Sequence, residues 1–428
     1  MNCPRFLRLI ALVLVLAGCG GKASNPGDKV HIKLVHFYTD KKDVWQKDVA
    51  DAFMKTHPNI QVDLEAIPYG LYTTKILASA ASGSQLGDVV VMDDWFGQEL
   101  FKRNYTVPLD SLFNRDLHAD DFFTQFFTVW RKGNTPSGPL MGMPACGGVT
   151  VLFYNKDIFD KAKLRYPDSI WSYTDLVAAA QKLTTNDADP KTKTWGFISD
   201  DGISTGIDTW IYSNGGKIVS DDQKHSAVLN PQSIAAFQSY VDLTQKYHVM
   251  PMPDPSQTLG QRFLQGHIAM MLSFEVTKLE IEHANFKWDL TAPPKGAAGM
   301  MDRESGQAFG ITRTSPHPNE AWELIKFIAT LPTKEGIDEL YYTAMPVYKP
   351  LANSTEFLEG TPKCNRRAIV AINNGKVFTL ITPGWQEWRD NGFTPNVQDM
   401  LAGRKTVSEG LHAIDQKINE VLARANVQ

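Results

Sequence analysis

Cysteine is scarce in this chain: four residues among 428. That density excludes a small scaffold stapled by disulfides. No Cys-x-x-Cys and no His-Glu-x-x-His occurs, and the 10 histidines are scattered, so no metal or other cofactor is expected. In the body of the chain stand Cys146 and Cys364. They could pair in an oxidising compartment, and two separate buried thiols are the expectation. Neither sign of charge dominates either: 43 Lys and Arg against 47 Asp and Glu leave −4, which gives no basic patch for nucleic acid. Beyond the first residues, no apolar run is long enough to cross a bilayer. Repeats, heptads and low-complexity tracts are missing too, which excludes a solenoid.

What is present begins at the N-terminus. Arg5 and Arg8 precede an unbroken apolar stretch, Leu9 to Leu16, and then Leu16-Ala17-Gly18-Cys19. A charged start, a short apolar run and small residues before a cut form a secretory signal. An uncleaved membrane helix would need about 20 apolar residues, more than this run supplies. The last four residues resemble the bacterial lipobox. That resemblance implies a lipoprotein signal peptide over residues 1–18 and a diacylglycerol on Cys19. Residues 19–29, rich in Gly, Ser, Asn and Pro, would be a flexible tether. The expected location is outside the cytoplasm, lipid-anchored to the membrane.

The remaining roughly 400 residues exceed one ordinary core, so two lobes are expected. Strand-like and helix-like segments alternate, which indicates α/β architecture. Ile60, Val62, Leu64 and Ala66 alternate with polar residues, as in a half-buried strand. Val89 to Met92 is continuously apolar, as in a strand covered on both faces. Asn230-Pro231 reads as a helix cap with proline at the first position. Thr406 and Glu409 form a capping box ahead of the stripe Leu411, Ile414, Ile418 and Val421.

The order of short motifs resembles the extracellular solute-binding proteins of the maltose-binding type, over essentially the whole mature chain. Leu152-Phe153-Tyr154-Asn155-Lys156-Asp157-Ile158-Phe159 is the most specific match. Phe53 to Val62, Ser84 to Val90, Asn214-Gly215-Gly216-Lys217, Ala269-Met270, Pro293 to Gly296 and Leu401 to Arg404 follow in family order. In the Ser84–Val90 stretch Gly87 replaces the family's proline. The resemblance implies a two-lobed periplasmic-binding-protein fold of type II with three crossovers between lobes. One lobe would comprise residues 30–143 with 300–345, the other 146–295 with 347–428. It also implies a monomer that captures a sugar and delivers it to the permease subunits of an ABC importer.

A sugar offers hydroxyls that need hydrogen bonds and a C–H face that packs on rings, so its cleft combines aromatics with short polar groups. In open α/β sheets such groups lie just after the strands' carboxyl ends. Candidates there are Tyr38 and Asp40, then Asp93, Asp94 and Trp95. Either acid could instead cap a helix, and Trp95 could pack in the core. By family alignment, Asp94 stands where a carboxylate holds sugar hydroxyls. Tyr69 and Tyr72 flank Gly70 in an expected loop. Gly147 and Gly148 follow the first crossing, where the maltose binders place a glutamate; that departure argues against maltose. In the second lobe the candidates are Asp208, Trp210, Phe274, Glu275, Trp385 and Trp388. Aromatics at helical spacing are more often core than ligand, which weakens Trp388.

Rival readings remain. Gly202-Ile203-Ser204-Thr205-Gly206 fits a nucleophile elbow, which a serine hydrolase would need after a strand. Neighbouring acids such as Asp93 and Asp94 usually point apart, which disfavours a glycosidase pair. Aromatics with acids also suit a cation, so a polyamine or amino sugar stays open. Glycerol phosphate would call for converging Arg or Lys, which the strand ends do not offer.

Overall fold

Four consecutive apolar residues at Val89–Met92 leave no polar face, so this strand must be sandwiched. The computed structural model, which describes residues 29–38, 44–84, 86–189, 192–199, 206–332 and 344–425, places it so. Strand β3 (Val89–Asp93) is buried at every position and lies between β1 (Val30–Tyr38) and β10 (Gly306–Ile311). The six-stranded sheet runs β11 (Met345–Pro346), β4 (Met143–Gly147), β10, β3, β1, β2 (Ile60–Pro68). Both β2 and β3 are parallel to β1, whereas β10 is antiparallel to β3 and β4. Helices Val44–Thr56, Tyr69–Ser82 and Pro318–Thr330 pack against it.

A second sheet runs β6 (Ile198–Ser199), β7 (Met270–Phe274), β5 (Thr150–Asn155), β8 (Trp288–Thr291). Strand β5 shows why it occupies the middle. Val151 and Phe153 join one apolar cluster, Leu152 and Tyr154 the other, the two-residue period of a strand covered on both sides. A third, small sheet pairs β9 (Met301–Arg303) with β12 (Lys376–Phe378). The chain passes from the first sheet to the second between Gly147 and Thr150 and returns through β9 to β10.

The expected caps are in place. Asn230 accepts from the Ser233 amide at 2.7 Å, and Thr406 and Glu409 bond reciprocally. The stripe Leu411, Ile414, Ile418 and Val421 is buried. One expectation needs correction. Tyr69 and Tyr72 are not in a loop, because Tyr69 opens a helix directly after β2 with no intervening turn. Ahead of the Gly202–Gly206 motif, where a hydrolase would need its strand, stands only the two-residue β6, preceded by a lone bridge from Trp195 to Ile268.

Candidate functional site

Strand β3 runs into the helix Asp94–Lys102 without a connecting loop. Asp93 occupies the cap position in extended backbone, yet its side chain makes no capping bond. That carboxylate points elsewhere: its Oδ2 accepts from the Tyr69 hydroxyl at 2.9 Å. Trp95 Nε1 donates to the same hydroxyl at 3.0 Å, and Phe37 packs edge-on against the Tyr69 ring. Burial, aided by the neighbouring Asp94 charge, pushes the Asp93 carboxyl up to about 7. Among the described residues, Trp95 is the one half-buried apolar side chain packed against both hydrophobic clusters.

Groups from the other side meet this cluster. Trp385, first residue of a short helix after Gly384 (φ 70°), donates from Nε1 to the Trp95 carbonyl at 3.1 Å. Arg389 lays its guanidinium 4.4 Å from the centre of the Trp385 ring. On β9, Arg303 donates to Asp94 Oδ2 at 2.6 Å and to Ser305 Oγ at 3.1 Å. Its Nε lies 3.9 Å from Asp208 Oδ2, and its guanidinium sits 5.4 Å over the Phe274 ring. The seam thus joins Asp94 of the first sheet's helix to Asp208 and Phe274 beside the second sheet. Two more buried acids flank Arg303. Asp302 accepts the Thr150 amide at 2.8 Å, and Glu304 accepts the Val129 amide at 2.7 Å and the Thr379 hydroxyl at 2.9 Å. Burial raises both carboxyls to about 7. Asn134 adds a tie, donating to the Ile381 carbonyl at 2.7 Å.

A family description, bacterial extracellular solute-binding protein, matches residues 38–334. The chain belongs to that family. A Brucella abortus (strain 2308) binding protein is 24% identical over 375 residues, 82% of this chain and 84% of that protein. Among solved structures, the Listeria monocytogenes ABC substrate-binding protein in complex with cycloalternan superposes with TM-score 0.76 at 22% identity, covering 92% of this chain and 100% of that one. The sugar-binding protein of Xanthomonas citri superposes with TM-score 0.77 at 17% identity, covering 93% and 98%. The fold is the two-lobed α/β fold of periplasmic binding proteins.

In this solute-binding protein the expected site residues divide into those at the seam and those in the core. Asp93, Asp94, Trp95, Tyr69, Asp208, Phe274 and Trp385 meet at the seam. Gly148 borders it, its amide 3.2 Å from the Ser305 carbonyl. Gly147 lies in β4, where a Cβ would stand 2.8 Å from the Phe126 ring. Close packing accounts for that glycine. Tyr38 ends β1 and is half-buried.

Others are corrected to structural roles. Tyr72 is fully buried, its hydroxyl donating to the Val91 carbonyl at 2.6 Å, so its polar end is already used. Trp210 is packed on Tyr173 and Tyr240 and donates to Ser239 Oγ at 2.9 Å. Trp388 donates to Thr382 Oγ1 at 2.9 Å from the core. Glu275 pairs with Lys278 at 3.5 Å, both about 1% exposed. Asp40, Cys19, and residues 202–205 with Ser204 lie outside the described residues.

Arg303, Ser305 and Asn134 were absent from the sequence candidates. A run of Asp302-Arg303-Glu304 reads as solvated surface, and only the connection between sheets buries it. A cavity of about 340 Å³ opens beside the ends of β6 and β7, lined by Ser199, Asp254, Gln257, Thr277, Glu280 and Gln398 among others. None of the seam's rings lines it. Cys146 and Cys364 are both free, the first buried and the second half-buried.

Proposed function

We propose that this chain captures a sugar or oligosaccharide at the interlobe seam and hands it to an ABC importer. One observation carries the reading: Trp95 and Trp385, from opposite sides, meet beside the acids Asp93 and Asp94. Indole faces suit the C–H side of a pyranose and carboxylates suit its hydroxyls. Two structural relatives, one in complex with cycloalternan and one a sugar-binding protein, support the same chemistry. The proposed lobes are those built on the two large sheets, with the first crossing between Gly147 and Thr150 rather than at residues 143–146. Each supplies half of the contacts, so solute favours the closed arrangement and shifts the population toward it. No reaction is assigned; the work is capture and release.

Thermal-shift screening of a glycan panel tests the ligand class, since a solute that prefers the folded state raises the melting point. At least one neutral oligosaccharide is expected to do so. A panel without any shift, alongside a shift from spermidine or glycerol phosphate, overturns the carbohydrate reading. We also propose that the chain is monomeric and that Cys19 carries the membrane anchor. Cys19→Ser should release the protein from the detergent phase into the aqueous phase, and retention in the detergent phase contradicts it.

A further inference from the structure

Asp94, Asp208 and the Phe274 ring converge on one point and have the makings of a cation site: two carboxylates and an aromatic face. In this protein the cation is part of the chain. The Arg303 guanidinium reaches Asp94 at 2.6 Å, Ser305 Oγ at 3.1 Å, Asp208 at 3.9 Å and the Phe274 ring centre at 5.4 Å. Its side chain is 5% exposed, so it fills the place rather than covering it. Arg303 also sits on β9, the connection between the two large sheets, where it can hold an acid from each.

We propose that Arg303 is a specificity-determining residue that converts a cation site into one for neutral, polyhydroxylated solutes. The inference rests on the seam being the solute site. A guanidinium pairs as a rigid, planar fork, and Arg303 is held by Asp94 and Ser305 together. Being tethered, it competes at high effective concentration, and a free ammonium or guanidinium must displace it. A neutral polyol faces no such competition. An ionised carboxylate offers about four lone-pair positions, so Asp94 can keep Arg303 and still accept a hydroxyl. A polyamine or protonated amino sugar would instead meet a resident positive charge. The occupied acids therefore discriminate by charge while remaining acceptors.

Arg303→Ala empties the place, and ethylguanidinium is the probe that fits it. Thermal shift is read for the wild type, Arg303→Ala and the double variant Asp94→Asn/Arg303→Ala. At about ten times its Kd, ethylguanidinium should raise the melting point of Arg303→Ala by about 2 °C. The wild type and the double variant should show no rise. A folded Arg303→Ala protein that does not respond, or three proteins that respond alike, overturns the proposal. If Arg303→Ala does not fold alone, refolding with ethylguanidinium should recover it, and failure of recovery also overturns the proposal. The glycan panel on the wild type is read separately. Rescue without any glycan shift refutes only the carbohydrate reading; glycan binding without rescue refutes only the role of Arg303.

Discussion

Replacing Asp93 by Asn should stabilise this protein, and more so at alkaline pH. Burial beside Asp94 raises the Asp93 carboxyl from 3.8 to about 7. The folded state therefore holds that proton more tightly than the unfolded chain. Stability from this proton is complete below pH about 4 and is lost as pH rises through about 7. Three pH units at roughly 1.4 kcal/mol each give a cost of about 4 kcal/mol for the ionised group at pH 8, an upper bound. At pH 5 the same arithmetic leaves about 1.5 kcal/mol. Asn retains an acceptor for the Tyr69 hydroxyl and removes the charge. Urea unfolding followed by tryptophan fluorescence at pH 8, 6.5 and 5 reads the difference directly. The variant should be the more stable protein at pH 8, its advantage shrinking by about 2–3 kcal/mol by pH 5. An advantage independent of pH, or a variant less stable at pH 8, refutes the reasoning.

Tyr72→Phe loses a buried hydroxyl that serves only backbone carbonyls. It should cost about 1–2 kcal/mol in urea unfolding and leave sugar affinity unchanged. Lys278→Met strands the buried Glu275 and should destabilise by about 3–5 kcal/mol, with Glu275→Gln/Lys278→Met recovering most of the loss in the same assay. Burial pushes the Cys146 thiol up to about 12 and the Cys364 thiol to about 11. Iodoacetamide at pH 8 should therefore label both in the native protein about a hundredfold or more slower than free cysteine.

The parts of the fold that sequence made legible are those decided locally. The apolar run Val89–Met92 could only be a covered strand, and the caps at Asn230 and Thr406 carry their own hydrogen-bond partners three residues away. Tyr69 misled because its helix starts after Pro68 with no side-chain cap, so no local mark announces it. Its buried positions Tyr72, Ile76 and Ser79 recur at helical spacing, a signal the flanking Gly70 obscured. At the site, Asp93, Asp94 and Trp95 were legible because a polar triplet ending an apolar strand has few structural uses. Trp210 was not separable from a cleft ring, since its burial depends on a helix far away in sequence, the one carrying Ser239, whereas the helical spacing of Trp388 already marked it as core. Arg303 was invisible for the opposite reason. Its partners Asp94 and Asp208 lie in distant segments, and only the topology brings three charged neighbours indoors.

The most direct test is calorimetric titration of the strongest glycan from the panel against wild type, Trp95→Ala, Trp385→Ala and the core control Trp210→Phe. Each seam variant should lose about 10- to 100-fold in affinity, about 1.4–2.8 kcal/mol, while the control binds as wild type. Undiminished binding by both seam variants would contradict sugar capture at the seam.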